Sequence, residues 1–214
     1  MGSTVKGERV TLRDGVVVLV RQVHRTDADL LADGFARLSE ESRRLRFLSA
    51  KERLTTTELR YFTEVDHHDH EALGALDETD GRGLGVARYI RHAEDPEAAE
   101  VAVTVVDEWQ RRGLGTELLS RLIDRARQEG VLRFTALVSA DNDATIRLLQ
   151  RVGADVRAVS REPGVVEYEI SPPSEGLGST YDLLKAFGQR QLTPPKSIRD
   201  ALGALVPEWF RADG

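Results

Sequence analysis

Six consecutive residues, Arg111-Arg112-Gly113-Leu114-Gly115-Thr116, place two guanidiniums and two glycines directly before an apolar helical pattern. That set suits a phosphate-bearing ligand. The glycines let the backbone approach an anion, the first amides of a helix have no internal acceptor, and the helix dipole adds partial positive charge. The arginine forks match phosphate oxygens. Two other glycine triplets occur. One, at 81–85, falls at a hairpin turn, where Gly81 supplies positive φ and Gly83 or Gly85 accommodates a bulge. The other, at 176–178, lies in a Pro- and Ser-rich stretch that reads as a linker. A dinucleotide fingerprint would need a third glycine where Leu118 stands, and no G-K-[ST] follows for a nucleotide P-loop.

A second cluster, Asp66 to His70, packs three imidazoles and two carboxylates into five residues. Consecutive side chains of an extended loop diverge, whereas metal ligands come from spaced positions on rigid elements, so no metal is expected there. A solvated loop fits, or one in which a histidine moves protons near a substrate. The 214 residues contain no cysteine, which removes disulfides, thiolate metal sites and a cysteine nucleophile together. A net charge of −6 argues against nucleic acid as a partner. No apolar run is long enough to span a bilayer and the start lacks an apolar signal core, so a soluble, cytoplasmic protein is expected. Between Glu64 and Glu100, eleven acids face three arginines, a local −8. That stretch reads either as a solvated acidic face or as a funnel for a cationic substrate.

Positioning these groups requires a fold, and the periodicity outlines one. "VVVLVRQV" is a strand, followed by a helix with Thr26 and Asp29 as its capping signal. Two short helices start at hydroxyl residues before Asp66, and a hairpin turns at Asp80 and Gly81. "EVAVTVV" is a strand, and after it Leu114, Leu118, Leu119, Leu122, Ile123 and Ala126 share one helical face that ends at Gly130. "VLRFTALVS" returns as a strand parallel to "EVAVTVV", then come a helix ending at Gly153 and a hairpin turning at Pro163 and Gly164. The divisions are a domain over 1–170, a linker over 171–178 and a helical extension over 179–214, where Trp209 and Phe210 can anchor the tail to the domain or to a second chain.

The pattern Q-x-x-G-x-G at Gln110 to Gly115, set between strand and helix, resembles the pyrophosphate loop of the GNAT superfamily of acetyl-coenzyme A dependent N-acetyltransferases. The order of elements from about Val16 to Ile170 resembles that family as well. So does "NDATIRLLQRVGA", in which Asn142, Ile146, Leu148 and Gly153 match, Thr145 replaces a small residue and Leu149 stands where many members have tyrosine. "LSEESRRLRFL" and the residues after it are similar to the region before the catalytic strands in Pat-type bacterial protein lysine acetyltransferases.

The resemblance implies an α/β (α+β) fold with a mixed, mostly antiparallel central sheet, a splayed parallel strand pair and flanking helices. It implies acetyl-CoA as acyl donor, with Val103, Thr104 and Val105 along the pantetheine arm, Arg111, Arg112, Gly113, Leu114, Gly115 and Thr116 at the pyrophosphate, and Asn142 touching the coenzyme. Glu100, ten residues before Gln110, then takes the proton from the attacking amine. Leu149 cannot protonate the departing thiolate, which leaves Tyr168, Ser139 or water. The expected acceptor is a protein lysine, such as one in acetyl-CoA synthetase. A polyamine or aminoglycoside acceptor is an alternative, as is a non-catalytic acyl-CoA-sensing module, and the C-terminal extension offers a homodimer contact.

Overall fold

The structure, a computed structural model, describes residues 7–172. The expected linker beyond 172, the C-terminal extension with Trp209 and Phe210, and the third glycine triplet lie outside the described residues.

Eight strands form one sheet in the order β1-β2-β3-β4-β5-β6-β8-β7. They are β1 (Glu8–Thr11), β2 (Val17–Gln22), β3 (His70–Asp77), β4 (Gly83–His92), β5 (Asp95–Val105), β6 (Arg133–Ser139), β7 (Asp155–Glu162) and β8 (Val165–Ser171). Only β5 and β6 run parallel; every other neighbour pair is antiparallel. Helices α1 (Ala28–Ala36), α2 (Glu40–Phe47) and α3 (Thr56–Thr63) precede β3, α4 (Leu114–Gln128) joins β5 to β6, and α5 (Asp143–Arg151) joins β6 to β7. The expected architecture is therefore the observed one.

Helix α4 buries all six predicted apolar residues against the sheet. They meet Ala87 and Tyr89 of β4, Ala99 and Val101 of β5, and Phe134, Ala136 and Val138 of β6 in the main core. Full burial of each leucine there contributes about 1.5–3 kcal/mol. The opposite face of the sheet carries α1 and α3, and α2 opens on Ser39, whose hydroxyl accepts from the Ser42 amide. Thr55 and Glu58 cap α3 reciprocally.

Two boundaries differ from the sequence reading. The cap before α1 is not Thr26 with Asp29. His24 and Asp27 close a capping box on a 3-10 turn at Arg25–Asp27, because Arg21 grips the Asp27 carboxylate in a bidentate pair at 2.6 and 2.8 Å. In addition, β1 and the first residues of β5 escape the pattern, since both carry exposed polar residues. Sheet pairing specifies them rather than alternation.

Candidate active site

Strands β5 and β6 pair at only three positions, Ala98 with Arg133, Ala99 with Phe134 and Glu100 with Thr135. Beyond Glu100, β5 keeps pairing with β4 as far as Val105 opposite Gly85, and β6 keeps pairing with β8 as far as Ser139 opposite Val165. The two strands therefore part company at Glu100. From Val101 to Val105 the β6-facing edge of β5 has no strand partner, and apart from the Val105 carbonyl, which accepts from Gln110 Nε2 at 3.2 Å, its backbone groups are open to a ligand lying along it. Val103 and Val105 turn their side chains to the α4 core. Thr104 points the other way, and its hydroxyl accepts from Arg46 Nε at 3.1 Å.

The splay leads to the arginine-glycine loop. Gly113 is the residue before α4, with φ 96° and no side chain capping the helix, and Arg111 also has positive φ, 61°. The first amides of α4 are left for an outside acceptor. Leu114 anchors the helix start by burying its side chain. Arg111 is exposed. Arg112 is already engaged: its Nε donates to Asp14 at 2.6 Å and its guanidinium lies 4.0 Å from the Trp109 ring centroid. Trp109 thus supports an arginine as well as packing against the core. Asn142 uses its side-chain oxygen to cap α5 through the Thr145 amide at 3.2 Å, which leaves its NH2 for other contacts.

Two groups beside the loop carried no signal in the sequence. The Arg13 side chain lies 3.4 Å from where a Cβ on Gly113 would sit. Asp107 accepts from the Ser39 amide at 2.8 Å and from the hydroxyls of Ser39 and Ser42 at 2.9 and 2.7 Å, while Gln110 Nε2 reaches Ser42 at 3.2 Å. These bonds hold the Asp107 carboxyl below the ordinary range despite partial burial. They also give the two serines of "LSEES" a purpose: they clip α2 to the loop. From α2, Arg46 then reaches β5, and Arg44 reaches Asp141 just past β6 at 2.7 Å.

Gly113→Val tests the loop. A β-branched residue at φ 96° costs about 1–3 kcal/mol of strain. The expected result by calorimetry is a dissociation constant for acetyl-CoA weakened about tenfold or more. Gly81→Val is the control. It strains a hairpin turn at φ 75°, and it should lower Tm without weakening the coenzyme; equal affinity for wild type and Gly113→Val would contradict the placement.

Glu100 sits on the α1–α3 face of β5, at the fork. Burial pushes its carboxyl above the ordinary carboxylate range, partly countered by the nearby Arg46 charge. Tyr61 of α3 senses both Arg88 and Glu100, and burial raises its hydroxyl. Arg88, two positions from the Glu100 partner Ile90 on β4, faces the same side. Arg46 lies in the "LSEESRRLRFL" stretch that carries the family resemblance, but no role was assigned to it, and neither Tyr61 nor Arg88 was singled out by the sequence. "VARYIR" alternates as if Arg88 met solvent, and only α3 folding over that face buries it.

The remaining groups separate. Leu149 is 3% exposed within the main core, Tyr168 packs against that core, and the Ser139 hydroxyl donates to Asp141. The histidines of 66–70 diverge: His67 meets Glu71, His68 meets Asp69, and His70 Nε2 meets Arg88. The acids between Glu64 and Glu100 do not form a free negative funnel. Asp69 pairs with Arg91, Glu71 with Arg125, Glu78 with Arg9 and Asp95 with Arg133.

A strand fork with an open edge, a glycine loop at a helix start and a half-buried carboxylate at the fork are the features expected of an acyl-coenzyme A transferase site. Residues 35–154 match the model of the acetyltransferase (GNAT) family, and the chain belongs to that family, whose donor is acetyl-CoA. Acetyltransferase Pat of Mycolicibacterium smegmatis is 35% identical over 164 residues, 77% of this chain and 48% of that protein. Acetyltransferase PA5475 of Pseudomonas aeruginosa is 33% identical over 136 residues, 63% of this chain and 73% of that one. Among solved structures, the GNAT domain of S. lividans PAT superposes with a TM-score of 0.71 at 32% identity, covering 77% of this chain and 96% of that domain. The chain thus spans about half the length of the mycobacterial relative. Among the described residues, no helix is long and apolar enough to cross a membrane, and no group of three or more His, Asp or Glu side chains is placed to hold a metal.

Proposed function

We propose that this acetyltransferase transfers the acetyl group of acetyl-CoA to a lysine side chain of a protein by direct attack on the thioester. The observation that carries the reading is the position of Glu100, a carboxylate with raised pKa at the point where β5 and β6 diverge. An alkylammonium of pKa ~10.4 must lose its proton before it attacks, and a carboxylate lifted toward neutrality accepts that proton better than an exposed one. As the new C–N bond forms and the C–S bond breaks, unpaired amides of β5 between Val101 and Val105 supply donors for the developing oxyanion. The coenzyme runs back from the Arg111–Thr116 loop along this edge. The leaving thiolate, with pKa ~8.5, takes its proton from water, since Leu149 is buried in the core and offers none.

The lysine acceptor is supported by the likeness to Pat and to the S. lividans PAT domain. The test is incubation with acetyl-CoA and a lysine-rich protein, with thiol release followed alongside mass spectrometry of the protein. Nε-acetyl-lysine should appear in step with free thiol. Thiol release that needs a polyamine or aminoglycoside, with no lysine modified, would replace the protein acceptor by a small amine.

A further inference from the structure

The cluster around Glu100 holds more positive charge than its carboxylate balances. Arg88 is 5% exposed, and one of its terminal nitrogens donates to the Phe62 carbonyl at 3.3 Å and to His70 Nε2 at 3.1 Å. His70 must be neutral at Nε2 to accept that bond, and burial beside Arg88 holds its pKa down to about 3. Arg46 donates Nε to the uncharged Thr104 hydroxyl. Among the described residues neither guanidinium has a carboxylate within ion-pair distance. Other arginines of the fold are paired, for example Arg21 with Asp27, Arg37 with Glu108 and Arg125 with Glu71.

These two cations are also neighbours. Arg46 contacts Thr104, and Arg88 stands opposite Ala102, so both lie over adjacent positions of one sheet face. Both line a cavity of about 90 Å³ whose walls include Phe47, Phe62 and Val86. Each lowers its pKa by burial, and Arg46 depresses Arg88 further, to about 9. Asp27 also lines this cavity but is taken up by Arg21, so buried Arg88 and part-buried Arg46, with Glu100 the carboxylate felt by Arg46, carry a positive charge that is costly until an anion joins them.

We propose that Arg46 and Arg88 form a carboxylate-binding subsite for the acceptor, so that the preferred acceptor carries a carboxylate beside the amine that Glu100 deprotonates. The inference deepens the acetyltransferase reading and rests on it. Charge complementarity fixes the orientation: ammonium toward Glu100, carboxylate toward the arginine pair. The carboxylate has two chemical sources, the main-chain carboxylate of a free amino acid or an acidic side chain flanking a target lysine.

Matched acceptor pairs test this with the intact chain: lysine against cadaverine, ornithine against putrescine, and a lysine peptide with a glutamate neighbour against the same peptide with glutamine. At least one carboxylated member should exceed its partner in kcat/KM by about 10- to 100-fold, the range of a charge-assisted contact. A free amino acid ahead identifies the main-chain carboxylate; the glutamate peptide ahead identifies the side chain. Arg46→Gln and Arg88→Gln should each bring the ratio toward unity, and Arg88→Lys should keep part of it. The ratio cancels a general loss of rate, and acetyl-CoA titration of each variant reports its fold. No carboxylated member ahead by about threefold in wild type, a total lack of turnover on them included, overturns the subsite. So does a preference that survives both glutamine variants. Retained rate in Glu100→Gln with the preference intact would instead remove the base and leave the subsite.

Discussion

Glu100→Gln is expected to lower kcat for acetyl transfer by about 10²- to 10⁴-fold, the range supplied by a positioned general base, while acetyl-CoA binds as in wild type. The side chain keeps its size and loses only the ability to accept a proton. The pH profile carries the sign. Ionised Glu100 is the active form, so in wild type kcat/KM falls as pH drops through its pKa, which burial places above the ordinary value of 4.5. That acid limb disappears in the variant, leaving a rate that simply rises with pH as free amine accumulates. An unchanged kcat, or an acid limb that persists in the glutamine variant, would mean that another group takes the proton.

Glu71→Leu is expected to destabilise the fold by about 3 kcal/mol. The carboxylate is fully buried at the start of β3. Its oxygens accept from the Ala72 amide, Gln22 Nε2 and Arg125 Nε at 2.8, 2.8 and 3.1 Å, and one of them meets His67 Nδ1 at 2.8 Å. Together these join β2, the 66–70 loop and α4. Leucine satisfies none of the donors, though Arg125 is 29% exposed and retains Glu129 at 2.5 Å, which keeps the loss below that of a fully buried pair. For a domain of this size the melting midpoint should fall by roughly 6–12 °C. Thermal denaturation measures it, and a drop under about 2 °C would show that water or neighbouring groups replace the carboxylate.

How much of this was legible depended on whether a signal was local. The α4 face, the turn at Gly81 and the loop at Gly113 each rest on residues close in sequence, so pattern and turn chemistry placed them. The strand fork at Glu100 needed the family resemblance, because parallel pairing that stops after three residues leaves no trace in alternation. Tyr61, Arg88 and Asp107 went unnoticed, and Arg46 was seen only as part of a motif, for another reason. Each is a common polar residue whose meaning arises from partners on distant elements: Arg46 from Thr104, and Asp107 from Ser39 and Ser42. The acidic stretch left two readings open by the same logic, since its arginine partners Arg9 and Arg125 lie far along the chain. Leu149 completes the core beneath α5 and carries no proton to donate.

The most direct test of the account is free-thiol release from acetyl-CoA with a lysine-containing acceptor, followed across pH for wild type and Glu100→Gln side by side. The account predicts acceptor-dependent release in wild type with an acid limb above the ordinary glutamate range, and near-loss of release with no such limb in the variant. Equal release by both proteins, or release from wild type that does not depend on the acceptor, would contradict it.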